Sequence, residues 1–175
     1  MACKTEVLPP AFIVWPHCLA KQTLLLILVL CSHFSRNVML SVGVSRMGKT
    51  RVVFIDPGVN SSYFCNIVLE KGLLPDIRAI CRHYRWWTLQ QDGAPAHTAR
   101  TTMDYLKKEH INCIEPHMWP PNSPDINPVD YAISGVFQQR VYHQRQFKTL
   151  EELQRAIATE WQKLSQRFID KSINE

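Results

Sequence analysis

The run TLLLILVLC, Thr23 to Cys31, carries no charge and no turn-forming residue, so any fold this chain adopts must cover it. It is too short to cross a bilayer, which takes about 20 residues. It also makes a poor secretory leader, because the apolar run starts only after residue 22 and no small-x-small cleavage site follows. A buried strand suits it better. The other reading is that the stretch does not belong to the original fold. A sheet beginning at the next apolar segment, at Val38, would leave an apolar edge open to pairing, so Leu24 to Leu30 are expected in a central first strand.

From Asn37 onward the pattern is regular. VMLSVGVS (Val38 to Ser45) and RVVFI (Arg51 to Ile55), joined by the turn-like Arg46-Met47-Gly48-Lys49, read as an antiparallel hairpin. Asp56-Pro57-Gly58 ends the second strand. Asn60 or Ser61 then caps a helix whose inward face uses Phe64, Ile67, Val68 and Leu69. A short helix is expected over Leu74 to Arg82, a strand over Trp87 to Gln91, a helix over His97 to Glu109 with Ala99, Met103 and Leu106 inward, and a strand over Asn112 to Ile114.

WPPNSPDINPVD cannot lie inside a helix or a central strand, since Pro120, Pro121, Pro124 and Pro128 have no N–H to donate. It reads as a loop leading into a helix, with Asn127 as N-cap, Pro128 at N1 and Asp130 at N3, running through Tyr142. A last helix opens on the capping box Thr149 to Glu152 and carries Leu150, Leu153, Ile157, Trp161, Leu164 and Phe168 at helical spacing. Hairpin, strand, helix, strand and helices together describe an α/β fold, a mixed sheet flanked by helices.

At 175 residues the chain fits one domain. Twenty Lys and Arg against 15 acids, a net +5, permit an anionic partner such as nucleic acid without demanding one. The six cysteines form no C-x-x-C pair, which argues against a zinc ribbon or a disulfide framework. His110, Cys113 and His117 have a spacing that can hold zinc on a loop, but Ile111, Cys113 and Ile114 look like a short buried strand and no fourth ligand is placed. Arg140, Arg145 and Lys148, with Tyr142 and Phe147 among them, can meet phosphates and stack on bases; a solvated helix end explains them as well.

Two aspartates carry chemical interest. Asp92 follows a strand and precedes Gly93 and Pro95, which turn the chain before a helix, so its carboxylate is presented at the end of the sheet where ligands collect. Asp130, from a helix start after the last strand, can meet it there. Paired carboxylates repel each other unless a divalent cation lies between them, and Mg²⁺ with phosphate oxygens suits phosphoryl transfer. The plainer readings are an Asp-Gly turn for Asp92 and a helix-dipole acid for Asp130. Asp125, inside the loop, reads as a turn former.

Three ordered blocks, QQDGAPAHTAR (Gln90 to Arg100), WPPNSPDINPVDYAI (Trp119 to Ile133) and SVGVSRMGKTRVVFIDPG (Ser41 to Gly58), resemble the catalytic domain of mariner-type transposases from about His33 to the C-terminus. The resemblance implies a ribonuclease-H-like fold, a triad of Asp, Asp and Asp or Glu, Mg²⁺ or Mn²⁺ as cofactor, DNA as partner without a membrane, homodimers and a nuclear location. It makes Asp92 the second catalytic, metal-binding acid and Asp130 the third, with 37 residues between them, and gives His97 a supporting role beside the site.

The chain also departs from that family. The first acid is expected on the first strand, yet no aspartate precedes Asp56, and Glu6 in CKTEVLPP is the only upstream acid. Asp56 matches a turn position after the third strand and is not taken as the missing ligand. Ser134 stands where a tryptophan is expected. No helical region before His33 resembles the modules that read transposon ends, and the last helix resembles one that continues further in the family. The expected division is an atypical or unrelated segment 1–32 and an incomplete transposase-like domain 33–175, with its first strand replaced or missing. The expected function is a transposase-derived nucleic-acid-binding domain, ancestrally a metal-dependent DNA-cleaving and DNA-joining enzyme, with weak or no activity. The alternative is a non-enzymatic DNA-binding or protein-interaction domain.

Overall fold

The computed structural model describes residues 22–31, 37–83, 87–118 and 132–174. Glu6, Asp125, Asn127, Pro128 and Asp130 lie outside the described residues, and so does every expectation that rests on them.

The apolar run forms β1, Gln22–Cys31, and takes an inner place in the sheet. Along Leu24 to Cys31 it pairs antiparallel with β2 (Asn37–Ser45), and along Gln22 to Leu24 it pairs parallel with β5 (Thr88–Gln90). On the other side of β2 lie β3 (Gly48–Lys49) and β4 (Val53–Ile55), which pair with opposite ends of that strand. The order is β3-β2-β1-β5 with β4 beside β2, and a parallel bridge from Leu89 to Cys113 extends the sheet past β5. The first-strand position is thus filled. The expected division at residue 32 falls in the connection between two paired strands.

Strand alternation decides what each face buries. Val38, Leu40, Val42 and Val44 of β2 turn to one side, where they cluster with α5 (Ser134–Tyr142), α6 (Leu150–Lys163) and α7 (Gln166–Asn174) through Phe137, Val141, Ile157, Trp161, Ile169 and Ile173. Met39 of β2 and Leu89 of β5 belong to the cluster on the other face. There they join a continuous helical stretch that opens at its Asn60 cap as α1 (Ser61–Tyr63), widens to π-helical geometry over Phe64–Leu73 and continues as α2 (Leu74–Ile80). The same layer holds α3 (Pro95–Thr98) and α4 (Arg100–Lys108). The result is three layers with a core on each face of the sheet. Among the described residues no helix is long and apolar enough to cross a membrane.

Several expected elements are interrupted, and side-chain hydrogen bonds satisfy backbone carbonyls at two of the breaks. The helix expected over His97 to Glu109 starts at Pro95 and divides at Ala99, whose ψ of 141° leaves the helical region. Thr102 Oγ1 donates to Ala96 O at 2.6 Å and so takes up a carbonyl freed by the break. The last helix, expected to reach Phe168, stops at Lys163. Lys49 Nζ donates to the carbonyls of Trp161, Gln162 and Leu164, placing a cation where the helix dipole is negative, and Ser165 Oγ accepts from Phe168 N to start α7. Burial lowers the Lys49 ammonium from its ordinary value. The strand expected over Asn112 to Ile114 shrinks to the Leu89–Cys113 bridge, where Leu89 N donates to Asn112 O and Ile114 N to Leu89 O. The capping box forms as expected: Glu152 N donates to Thr149 Oγ1 and Thr149 N to Glu152 Oε2.

Gly72 lets the π-helical segment approach β4. A Cβ there would sit 2.9 Å from Val53 Cγ2 and 3.1 Å from Ile67 O. Val53 is stiff at χ1 and the carbonyl belongs to the backbone, so neither neighbour yields easily. Gly72→Ala is therefore expected to destabilise the fold by about 1–3 kcal/mol from overpacking, more than the gain of about 1 kcal/mol in helix propensity. Urea unfolding checks this, and an alanine variant more stable than wild type contradicts it.

Candidate active site at the end of strand β5

Asp92 stands two residues beyond β5, where the turn Gly93-Ala94 hands the chain to α3. Its side chain keeps 30% of its accessible surface, so it is neither free in solvent nor buried in the core. The turn is closed by Asp92 itself, whose Oδ1 accepts from Ala94 N at 3.1 Å. The same oxygen lies 2.5 Å from His97 Nδ1. Burial pushes the Asp92 carboxyl up, but the His97 hydrogen bond and charge, helped by the Ala94 N–H, outweigh it and hold the group below the usual carboxylate range.

His97 is placed by packing. Its side chain is 1% exposed, and its ring lies against Phe64 with centroids 4.4 Å apart and planes tilted by 40°. Phe64 is itself fully buried in the π-helical segment, so the layer across the face of the sheet fixes the imidazole that touches Asp92. The far ring nitrogen, Nε2, is buried with no hydrogen-bond partner among the described residues, and so are Gln90 Oε1 and Gln91 Nε2. All three lie at or next to the end of β5. Residue pattern alone did not single out Phe64, Gln90 or Gln91 for the site; two consecutive amides at the end of a buried strand were the available signal.

The strand beside this end is β1. Their parallel register pairs Gln22 with Thr88, Thr23 with Leu89 and Leu24 with Gln90, and QTLLLILVLC contains no carboxylate. Asp92 suits a hard divalent cation as one ligand, being ionised and partly exposed with only Oδ1 engaged, whereas β1 contributes no acid. Among the described residues no group of three or more His, Cys, Asp or Glu is placed to hold a metal ion.

The remaining candidates are dispersed. Asp56 is exposed on the turn after β4, where its Oδ2 accepts from Tyr63 Oη at 3.2 Å. His110 adopts a left-handed conformation, Cys113 is in the bridge to β5, and His117 is exposed and 3.2 Å from Glu115, so the zinc spacing gathers no cluster. Burial pushes the Cys113 thiol up. Arg145 is bound to Glu160 at 2.9 Å, and Tyr142 and Phe147 form an edge-on ring pair against the helical core. Arg140 and Lys148 remain exposed. Ser134 opens α5 and is half-buried.

A mixed sheet with an inner first strand and helices on both faces is a ribonuclease-H-like fold. The fold agrees with solved members: the catalytic domain of Mos1 mariner transposase superposes with a TM-score of 0.70 at 18% identity, covering 89% of this chain and 76% of that one. A Mos1 mariner paired end complex with Mn gives 0.71 at 17% identity, covering 89% and 52%. Residues 29–154 match the DDE superfamily endonuclease family, and the chain belongs to it. In sequence it is 32% identical over 117 residues to the Tc3 transposase of Caenorhabditis elegans, covering 66% of this chain, and 30% identical over 64 residues to the Tcb2 transposase of Caenorhabditis briggsae, covering 37%. The matched regions are 33% of the Tc3 transposase and 22% of the Tcb2 transposase.

The lowered Asp92 carboxyl has a consequence for stability. A folded value below the unfolded one stabilises the fold above the ordinary aspartate range, and that contribution is lost as pH falls through the folded value. In chelator, the stability gap between wild type and Asp92→Asn should therefore shrink as pH drops below about 4. A gap unchanged down to strongly acid pH in urea unfolding contradicts the assignment.

Proposed function

We propose that this chain is a transposase-derived DNA-binding domain whose ancestral reaction was metal-dependent DNA strand cleavage and transfer, and that it now cleaves DNA weakly or not at all. One observation carries the reading: the strand paired with β5 beside Asp92 has no acid in its sequence. The family match supports it further, since it begins at residue 29, and the residues of β1 that pair with β5, Gln22 to Leu24, lie before that point. Residues 1–32 are then an atypical segment that supplies a strand to the transposase-like domain 33–175, and not its first acid.

In this reading Asp92 and Asp130 hold Mg²⁺ or Mn²⁺, with His97 in support. Structures of Mos1 transposase catalytic domain include Mn and Mg forms with raltegravir, and Mos1 paired end complexes include Mn and Mg forms. The cation supplies charge neutralisation at the phosphodiester and an activated oxygen nucleophile. The chain's own part is to fix one carboxylate at the strand end, ionised and pinned on its turn. A site lacking a carboxylate on the neighbouring strand loses a preorganised electrostatic contact, worth about 10²–10³ in rate for a single contact.

DNA as partner, homodimers and a nuclear location belong to the same proposal. Net charge +5 and the exposed Arg140 and Lys148 support binding to phosphates. Because Arg145 is engaged by Glu160, it is expected to contribute less than those two.

The purified chain with Mg²⁺ or Mn²⁺ is expected not to nick or join DNA carrying transposon ends, while binding duplex DNA in chelator with an affinity that falls as salt rises. Gel-resolved cleavage and fluorescence anisotropy read the two outcomes. Metal-dependent cleavage abolished by Asp92→Ala would overturn the inactive reading and direct attention to Glu6.

A further inference from the structure

The two oxygens of Asp92 are not equivalent. Oδ1 accepts from Ala94 N and faces His97 Nδ1, whereas no hydrogen bond to Oδ2 is formed among the described residues. An ionised carboxylate only accepts, so the proton in this contact sits on His97 Nδ1, which donates to Oδ1. Nε2 is buried with no hydrogen-bond partner among the described residues. The ring cannot readily turn away, because it is 1% exposed and packed on Phe64. Oδ1 is thus occupied by two donors, one from the turn backbone and one from a side chain locked in the core.

We propose that His97 is a positioning residue that commits Asp92 to bind a divalent cation through Oδ2 alone. Without the imidazole, Oδ1 keeps only the Ala94 N–H, and the carboxylate can rotate to present either or both oxygens. With it, the carboxylate plane is held by two anchors. This is the arrangement that a small cation suits, since Mg²⁺ prefers single oxygens in near-octahedral geometry. A partner hydrogen-bonded to a metal-ligating group also sets that group's orientation and affinity. The inference rests on the metal reading above.

Two substitutions separate positioning from packing. His97→Phe keeps a ring against Phe64 and removes the donor; His97→Asn keeps an N–H near the place of Nδ1 and gives up the ring. Mn²⁺ binding is measured on the full chain by the loss of the free-ion paramagnetic resonance signal, with Asp92→Ala in parallel and thermal unfolding as the packing control. His97→Phe is expected to weaken Mn²⁺ binding by about 10-fold to 100-fold, the range found when such partners are removed, and His97→Asn to bind more tightly than His97→Phe although it is the less stable variant.

Mn²⁺ binding that Asp92→Ala abolishes but His97→Phe leaves unchanged overturns the positioning role and spares the metal reading. No Mn²⁺ binding by wild type overturns both. A second measurement needs no metal: nitrogen-15 spectra of the apoprotein are expected to show a proton on His97 Nδ1, with its signal shifting in Asp92→Asn. A proton on Nε2 with bare Nδ1 overturns the proposal.

Discussion

Backbone pairing on both sides of β1 is the constraint on which the rest of the molecule depends. β2 aligns with it over eight residues and β5 over three, so β1 fixes both the hairpin's register and the position of the strand that ends at Asp92. Register matters because slipping a strand by one residue exchanges its two faces. Here such a slip in β2 would drive Val38, Leu40, Val42 and Val44 away from α5, α6 and α7 and bring Ser41, Gly43 and Ser45 against them. β1 is uncharged and free of turn formers, which suits an inner strand and leaves the chemistry to its neighbours.

That division of labour shapes the site. Asp92 lies past the end of β5, held by its own turn through Ala94 N and by an imidazole seated on Phe64. Burial works against ionisation, and the two donors reverse its effect. Gln90 Oε1, Gln91 Nε2 and His97 Nε2 nearby are buried without a hydrogen-bond partner among the described residues. β1 next to β5 has no acid in its sequence.

Much of this was legible in the residues, for reasons that can be named. VMLSVGVS and RVVFI marked two antiparallel strands, and the Asn60 cap and the Thr149–Glu152 capping box marked helix starts because their side chains satisfy local backbone donors. Length and hydropathy placed Thr23 to Cys31 in the sheet. Breaks set by distant partners were not legible. The end of α6 is held by Lys49, more than a hundred residues away in sequence, and periodicity through Leu164 and Phe168 gave no hint of it. Nothing in the local sequence accounts for the π-helical geometry of Phe64–Leu73. At the site, the strand-end position of Asp92 followed from Gly93 and Pro95, whereas its coupling to His97 through Oδ1 depends on a turn geometry that spacing does not report. The pairing of Asp92 with Asp130 concerns a residue outside those described.

The central claim is that Gln22–Cys31 is an integral inner strand, so that the place beside Asp92 is filled by a segment with no acid. Amide hydrogen exchange of the full chain tests it most directly. Backbone amides from Leu24 to Leu30 should exchange in the slowest class, together with those of β2, because both sets open only when the sheet does. Rapid exchange across Leu24 to Leu30, while β2 and β5 stay protected, would mean that the sheet forms without this segment and would contradict the account.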